Sequence, residues 1–181
     1  AYEEDRLLLP TEEEEREMYY LTKQVLEEHG YERYEISNYA KPGKECRHNM
    51  GYWQRKNYVG FGIGAASLVE NDRFANGSDL AAYINNPCDV MEDRESLTMA
   101  DRMAETMFLG LRMAEGIREA LWLEEYQKSL MDVYGDVIQK HIKDGLLERI
   151  EVQGDLFIRL TERGMDVSNY VMADFLEPES T

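Results

Sequence analysis

The residues best suited to chemistry lie in one short stretch, CRHNMGYW, at positions 46–53. His48 carries an imidazole, which is among the commonest metal ligands in proteins. Tyr52 and Trp53 are large flat rings that can stack on a planar ligand, and Asn49 can hold a polar group or cap the local turn. A single histidine does not establish a metal site, so from these residues alone a structural role for His48 is the default.

A second unusual stretch is YVGFGIGAAS, in which Gly60, Gly62 and Gly64 alternate with large side chains. On a β-strand this alternation would leave one face bare, so that another backbone or a flat ligand can approach closely. Tight packing against a neighbouring helix explains the same pattern equally well. The spacing is not that of a dinucleotide-binding loop, because the final glycine is misplaced and no obvious helix follows.

The composition excludes several classes of function. The chain has 37 acidic and 20 basic residues and a formal net charge of -17, which would repel the phosphates of a nucleic acid. Its apolar runs are too short for a transmembrane segment and its start lacks a signal-peptide pattern, so we predict a cytoplasmic protein. Its two cysteines are predicted to be reduced thiols. Since the sequence does not begin with methionine, we expect it to be part of a longer protein.

The elements that carry these residues follow from hydrophobic periodicity. A threonine cap followed by four glutamates predicts a helix over 11–29, with an apolar stripe on one side. Alternating residues then predict a strand over 31–37, and proline and glycine predict a loop over 38–45. The CRHNMGYW stretch therefore lies on a loop or a short helical turn, and a helical turn would place His48 and Tyr52 on one face.

The next segments suggest where one domain ends. A turn is predicted at 70–73 and a short helix at 79–85, whereas 88–96 shows no periodicity and is the candidate linker. We therefore predict two domains, 1–87 and 88–181.

The second domain has the outline of a winged helix. Its predicted elements are a long helix over 98–116, a helix over 136–143, a hairpin of strands 146–152 and 156–160, and a closing helix over 165–176. DNA binding requires a basic recognition face, and this chain is strongly acidic. A structural cap or a protein-interaction surface is therefore the better interpretation of the winged-helix unit.

The quoted stretches carry a family resemblance. YEISNYAKPGKECRHNMGYW, followed by YVGFGIGAAS and later by LGLRMAEGI, closely resembles the C-terminal half of the HemW-type heme chaperones. These are radical S-adenosylmethionine proteins related to oxygen-independent coproporphyrinogen III oxidase. The resemblance covers nearly the whole chain, and its most specific part is the H-N-x-x-Y-W motif at 48–53. In that family the motif marks the heme-binding chaperones and separates them from the oxidases.

The resemblance implies a fold and cofactors for a longer parent protein. The fold class would be α/β, or α+β overall: 1–87 would close a partial (β/α) radical-SAM barrel, and 88–181 would be the family's C-terminal domain. The parent would bind a [4Fe-4S] cluster and S-adenosylmethionine through a C-x-x-x-C-x-x-C motif that is absent here. This chain alone is then not expected to be catalytic, although the parent resembles radical SAM oxidoreductases of the coproporphyrinogen dehydrogenase type.

The resemblance also implies a heme site. Imidazole is a standard axial ligand of heme iron, so His48 becomes the candidate iron ligand, while Cys46 is either a second ligand or a buried thiol. The strand glycines would lie near the open side of the barrel, where a cofactor can approach. The predicted heme-binding residues are His48, Asn49, Tyr52 and Trp53, with Gly60, Gly62 and Gly64 as further candidates.

Three functions remain open from the sequence. The leading one is a heme chaperone that binds heme and transfers it to heme-accepting respiratory proteins. The alternative is an oxygen-independent coproporphyrinogen III oxidase, which carries out an oxidative decarboxylation in porphyrin biosynthesis. A third interpretation, from another class, is an acidic protein-interaction module built on the winged helix.

Overall fold

Residues 9–46 belong to one unit, a helix followed by a β-hairpin, in a computed structural model that describes residues 9–176. Helix α1 spans Glu12–Glu28 and is capped by Thr11, as predicted, although none of its residues is buried. The backbone N–H of Thr11 donates to Glu14 at 2.7 Å. This hydrogen bond, followed by the one from the Thr11 hydroxyl, holds the pKa of Glu14 below its ordinary value.

The hairpin corrects part of the predicted loop. Strand β1, Glu32–Glu35, pairs antiparallel with β2, Asn38–Ala40, so the prediction of a loop over 38–45 is wrong at its first residues. The reason is the fully buried side chain of Glu35. It accepts hydrogen bonds from the backbone of Ser37, at 2.8 Å, and from the side chain of the next residue, which closes a tight turn and returns the chain at once.

The second unit begins at Arg47 and opens with the motif helix. Helix α2 spans Arg47–Trp53, which confirms the predicted short helical turn. Three antiparallel strands follow in the order β3-β4-β5, at Ala66–Val69, Asp72–Asn76 and Met91–Ser96. Helix α3, Leu80–Asn85, lies between the last two strands along the chain and was also predicted.

The prediction of a glycine-rich strand is wrong. Residues 59–65 form a loop, which we call the glycine loop. Gly62 and Gly64 adopt φ angles of 103° and 67°, a left-handed backbone region that favours glycine. A Cβ atom at Gly60 would collide with the carbonyl oxygen of Ala66. The alternating glycines therefore allow a winding turn and a close backbone approach rather than a bare strand face.

The predicted linker over 88–96 is also wrong, because most of it is strand β5. All six residues of β5 are exposed, so the strand has no hydrophobic alternation for the sequence to show. Polar contacts support its pairing with β4 instead. Asp72 accepts hydrogen bonds from the Arg94 guanidinium and, at 2.5 Å, from the Ser96 hydroxyl, and these contacts, Ser96 first, lower the pKa of Asp72.

The rest of the second unit combines helices with another three-stranded antiparallel sheet, in the order β6-β8-β7. The predicted β-hairpin is confirmed as β7 and β8, and its turn residues Gln153 and Gly154 both have positive φ. The elements are α4 Met99–Gly110, β6 Ile117–Arg118, α5 Glu119–Tyr126, α6 Leu130–Lys143, β7 Leu147–Val152, β8 Asp155–Leu160, α7 Glu162–Asp166 and α8 Ser168–Ala173.

Two helix boundaries differ from the prediction. Helix α4 ends at Gly110 rather than at 116. The chain then turns back, and Ile117 packs so closely on Gly110 that a Cβ at Gly110 would lie 2.7 Å from the Ile117 side chain. Helix α6 begins at Leu130 rather than at 136 and is kinked at Tyr134, whose φ is -123°. The predicted closing helix is divided into α7 and α8.

The core of the second unit lies between its helices and the β6-β8-β7 sheet. Its fully or almost fully buried side chains are Met107, Leu111, Trp122, Leu130, Ile138, Ile158, Val171 and Phe175. Within residues 9–176, every helix is too short or too polar to span a bilayer.

A buried carboxylate ties α2 to the rest of the second unit. Glu105, on α4, accepts a hydrogen bond at 2.9 Å from Arg55, which follows α2, and another from Arg73 on β4. The side chains of Arg55 and Glu105 are only 6% and 8% exposed. Burial alone would lower the pKa of Arg73, but the hydrogen bond to Glu105 and its charge outweigh burial and raise that pKa. One carboxylate thus fixes two cations from different elements.

A second polar contact fastens the end of α8 to α6. The ring of His141 is completely buried, and its Nε2 lies 2.9 Å from Asp174, which also accepts a hydrogen bond at 2.7 Å from Lys140. The hydrogen bond from Lys140 is the main influence that lowers the pKa of Asp174, burial opposes it, and the hydrogen bond from His141 adds to the lowering.

Replacing Glu105 with alanine is expected to reduce the free energy of unfolding by about 3–5 kcal/mol, because removing one partner of a buried ion pair leaves an uncompensated charge. Urea denaturation followed by circular dichroism measures the change. The matched control is Glu124→Ala on α5, where an exposed side chain is replaced and a change below about 0.5 kcal/mol is expected. Similar small effects of both substitutions would contradict the role given to Glu105.

The Asp174→Asn variant is expected to lose stability in a pH-dependent way. The pKa of Asp174 is lower in the folded than in the unfolded chain, so its carboxylate stabilises the fold above the unfolded value of about 3.9, and this stabilisation is lost as the pH falls through the folded value. Denaturation curves between pH 6 and pH 3 should show a difference between wild type and variant that shrinks at the acid end. A difference of constant size, or the same trend in the exposed control Asp136→Asn, would refute this assignment.

Candidate functional site

Helix α2 presents His48 to solvent on an aromatic support. The ring centroids of His48 and Tyr52 lie 4.8 Å apart in an edge-to-face arrangement, and those of Tyr52 and Tyr58 lie 4.7 Å apart in the same arrangement. The His48 side chain is exposed, and neither ring nitrogen makes a hydrogen bond within the described part of the chain. The predicted shared face of His48 and Tyr52 is therefore present, and it leaves the imidazole nitrogens accessible.

Trp53 belongs to a different surface from His48. The Arg112 guanidinium carbon lies 4.3 Å from the centroid of the Trp53 ring, a cation–π contact. The indole Nε1 of Trp53 is buried and has no hydrogen-bond partner among residues 9–176. Five positions separate His48 from Trp53, which places their side chains about 140° apart around a helix. The structure thus does not bring the two together on one face.

The Trp53 ring lines an open cavity of about 350 Å³, which we call the Trp53 cavity. One wall comes from α4 and the turn after it, and the opposite wall comes from α8 and the residues after it. The lining residues are Trp53, Phe108, Leu109, Arg112, Asn169, Met172, Ala173 and Leu176. The sequence did not reveal this cavity. Phe108 lies on α4, several of whose residues are buried, and nothing in the residue pattern distinguishes a side chain that lines a cavity from one that fills a core.

The glycine loop is held by the protein's own hydrogen bonds. The side-chain amide of Asn76, a buried residue, donates to the carbonyls of Gly60 and Gly62, at 3.2 and 2.9 Å. The N–H of Gly60 donates to Ser67, and that of Gly62 donates to the Tyr83 hydroxyl at 2.8 Å. The amides of Gly60 and Gly62 are therefore already occupied, and binding of a ligand through them is not favoured.

The glycine loop exposes apolar side chains instead. Phe61 is 86% exposed, and Val59 and Ile63 are 56% and 46% exposed. The loop starts directly after Tyr58, the last ring of the aromatic support under His48. Exposed apolar side chains therefore follow the aromatic support of His48 directly in the sequence.

The other predicted residues contribute less. Asn49 is half-buried, and its side chain makes no hydrogen bond within the described residues. Cys46 and Cys88 are both exposed and are not joined in a disulfide, so the alternative of a buried thiol at Cys46 is wrong. Residues 9–176 contain no group of three His, Cys, Asp or Glu side chains that could hold a metal ion. Two cysteines also cannot ligate a [4Fe-4S] cluster of the type that the resemblance implies, which takes at least three.

Comparison with known proteins identifies the family. A family model described as the HemN C-terminal domain matches residues 97–167. The heme chaperone HemW of Bacillus subtilis is 34% identical over 174 residues, which cover 94% of this chain and 45% of that protein. The heme chaperone HemW of Lactococcus lactis is 31% identical over 171 residues, which cover 94% of this chain and 44% of that protein. The chain thus spans a little under half the length of these curated relatives.

A solved structure shares the fold. The coproporphyrinogen III oxidase HemN of Escherichia coli, described as a radical SAM enzyme, superposes with a TM-score of 0.70 at 16% identity. The superposition covers 92% of this chain and 42% of that protein. At this identity the likeness supports the fold alone, and it agrees with the predicted mixture of α and β structure. The sequence matches, which do not depend on this structural likeness, place the chain among the HemW-type proteins, of which it corresponds to a part.

Proposed function

We propose that this chain is part of a heme chaperone, that His48 is a ligand of the heme iron, and that the bound heme is passed to heme-accepting respiratory proteins. The observation that carries the proposal is the exposed imidazole of His48, whose nitrogens have no partner within the described residues and whose ring packs edge-to-face on Tyr52, which in turn packs on Tyr58. The names of the relatives in Bacillus subtilis and Lactococcus lactis, both heme chaperones, support the same conclusion.

The aromatic support suits an iron ligand. An axial imidazole needs one free nitrogen and a restricted ring orientation, because the Fe–N bond is directional. Edge-to-face contacts between aromatic rings contribute about 0.5–1.5 kcal/mol each, which is enough to favour one orientation of an exposed side chain. Tyr52 and Tyr58 thus act as positioning residues for His48 and need not touch the iron.

The glycine loop supplies the apolar contact in this proposal. Porphyrin is a large apolar plate, and removing such surface from water is favourable by about 25 cal/mol for each Å². Phe61 and its neighbours are exposed on a loop whose backbone is already fixed by Asn76 and Tyr83. We therefore assign the heme contact to the side chains between Gly60, Gly62 and Gly64 rather than to the glycines themselves.

The remaining predictions concern the longer protein and its surroundings. A [4Fe-4S] cluster and S-adenosylmethionine, as expected for this family, would have to be bound by residues outside this chain. The cytoplasmic location and the exclusion of nucleic acid rest on composition, and the domain boundary near residue 87 rests on the resemblance. The order of α4, β6, α5, α6, β7 and β8 supports a winged-helix-like unit, used as a cap or as a surface for acceptor proteins.

The oxidase alternative is not favoured. Its structural support is a likeness at 16% identity, which reports the fold and not the reaction. The H-N-x-x-Y-W motif is complete in this chain and distinguishes the chaperones from the oxidases within the family. No separate observation supports the interpretation of this chain as an acidic protein-interaction module.

Substituting alanine for His48 is expected to weaken heme binding by at least about 1.4 kcal/mol, a factor of ten, and to remove the Soret shift that accompanies histidine ligation. Titration of heme into the purified chain, followed in the Soret region, measures both effects. The matched control is His29→Ala, a second exposed histidine that lies at the end of α1. Identical titrations of wild type and the His48 variant would overturn the proposal.

A serine at position 61 is expected to weaken heme binding by up to about 3 kcal/mol, since full burial of a phenylalanine side chain contributes about 1.5–3 kcal/mol. The Soret maximum should stay unchanged because the iron keeps its ligand. Leu123→Ser is the control, an exposed apolar residue on α5 that is 52% accessible. Equal affinities for Phe61→Ser and wild type would remove the glycine loop from the heme site.

A further inference from the structure

We infer that the Trp53 cavity is a second binding site, which takes a ligand with a carboxylate on an apolar body. The cavity is separate in its residues from the proposed iron site: Trp53 lines it, whereas His48 and Tyr52 do not. No residue of the Trp53 cavity other than Trp53 belongs to the motif that the sequence singled out. The inference therefore stands independently of whether His48 binds iron.

The size and walls of the cavity suit a small apolar ligand. Its volume of about 350 Å³ lies at the lower end of the range for small-molecule sites, roughly 300–1,000 Å³. Phe108, Leu109 and Met172 provide apolar wall, and the indole of Trp53 adds a flat surface. Leu176, 54% exposed, lies at the cavity as an apolar group that a ligand would cover.

The polar groups at the cavity select a negative charge. Arg112 brings a guanidinium to the wall in a chain whose net charge is -17, and the contact with Trp53 fixes its position. A guanidinium has five N–H donors, so it can bind a ligand carboxylate while it keeps its contacts within the protein.

Two sources share this chemistry. One is a free aliphatic carboxylate, and the other is a propionate side chain at the edge of a porphyrin. Both would place a carboxylate at Arg112 and apolar carbon against Phe108 and Met172. If the ligand is a porphyrin propionate, filling the Trp53 cavity should also change the affinity for heme. If it is a free carboxylate, the affinity for heme should stay the same.

The test uses decanoate, with decanol as its uncharged counterpart, titrated into the chain by isothermal calorimetry. Two variants address the site. Arg112→Gln removes the charge, and Ala173→Leu fills the cavity from an exposed position on α8, where leucine is a good helix former. The control is Arg118→Gln, which removes another partly exposed arginine that does not line the cavity. Thermal melting checks that each variant is folded.

The expected result is that decanoate binds more tightly than decanol and that each cavity variant weakens decanoate binding at least about tenfold, as expected for a hydrogen bond to a charged group. Arg118→Gln and His48→Ala should leave it unchanged. If Ala173→Leu also weakens heme binding, the natural carboxylate is a porphyrin propionate; if heme binding is unaffected, it is a free carboxylate. No decanoate binding, equal binding of decanol, or no effect of Ala173→Leu would overturn the inference, whatever the outcome at His48.

Discussion

The second unit depends on one buried carboxylate shared between two cations. Glu105 on α4 holds Arg55 and Arg73 at once, so the turn that follows α2 and the middle strand of the β3-β4-β5 sheet are fixed to the same helix. Arg55 also has a positive φ of 51°, and its N–H donates to the Tyr52 carbonyl, so the chain turns sharply where the motif helix ends. The direction of α2, and with it the position of His48, follows from this contact.

Because its orientation is fixed, the short helix α2 contributes residues to two different surfaces. Residues four apart share a face, and His48 and Tyr52 do so, whereas Trp53 one position later faces the Trp53 cavity and stacks with Arg112. Residues that form one motif in the sequence do not all lie on one side of a helix, because each residue is rotated about the helix axis relative to the one before it. The rings of the H-N-x-x-Y-W motif therefore do not form one sandwich around a ligand.

Much of the fold was predictable where local chemistry decides it. Thr11 as a helix cap, the turn at Gln153 and Gly154, and the helical placement of His48 all follow from interactions between near neighbours in the sequence. The failures arise where distant residues decide. Strand β5 is wholly exposed and has no apolar pattern, and its polar contacts to β4 come from Asp72, more than twenty residues away. Helix α4 ends at a glycine on which Ile117, from beyond the following turn, packs closely. The glycine loop was not predictable, because alternating glycines are compatible with a strand and with a winding turn, and the residues that hold the loop, Asn76 and Tyr83, lie farther along the chain.

The candidate site shows the same division. The residue types of His48 and Tyr52 and their spacing were enough to predict their shared face. The contact of Trp53 with Arg112 was not predictable, because it depends on how distant parts of the chain pack together. Apolar residues along one side of a helix predict that these side chains are covered, but they do not show whether a protein core or a bound ligand covers them.

The exposure of His48 would have a kinetic consequence for the carrier role proposed above. A ligand held in an enclosed pocket leaves at the rate at which the protein opens, whereas one held on an open face leaves at the rate at which its own bonds break. Since the imidazole is exposed and the glycine loop is already ordered by Asn76, the residence time of a heme bound as proposed would be set by the metal–nitrogen bond together with the apolar contacts of the loop. A competing imidazole from an acceptor could then displace it directly, by ligand exchange on collision.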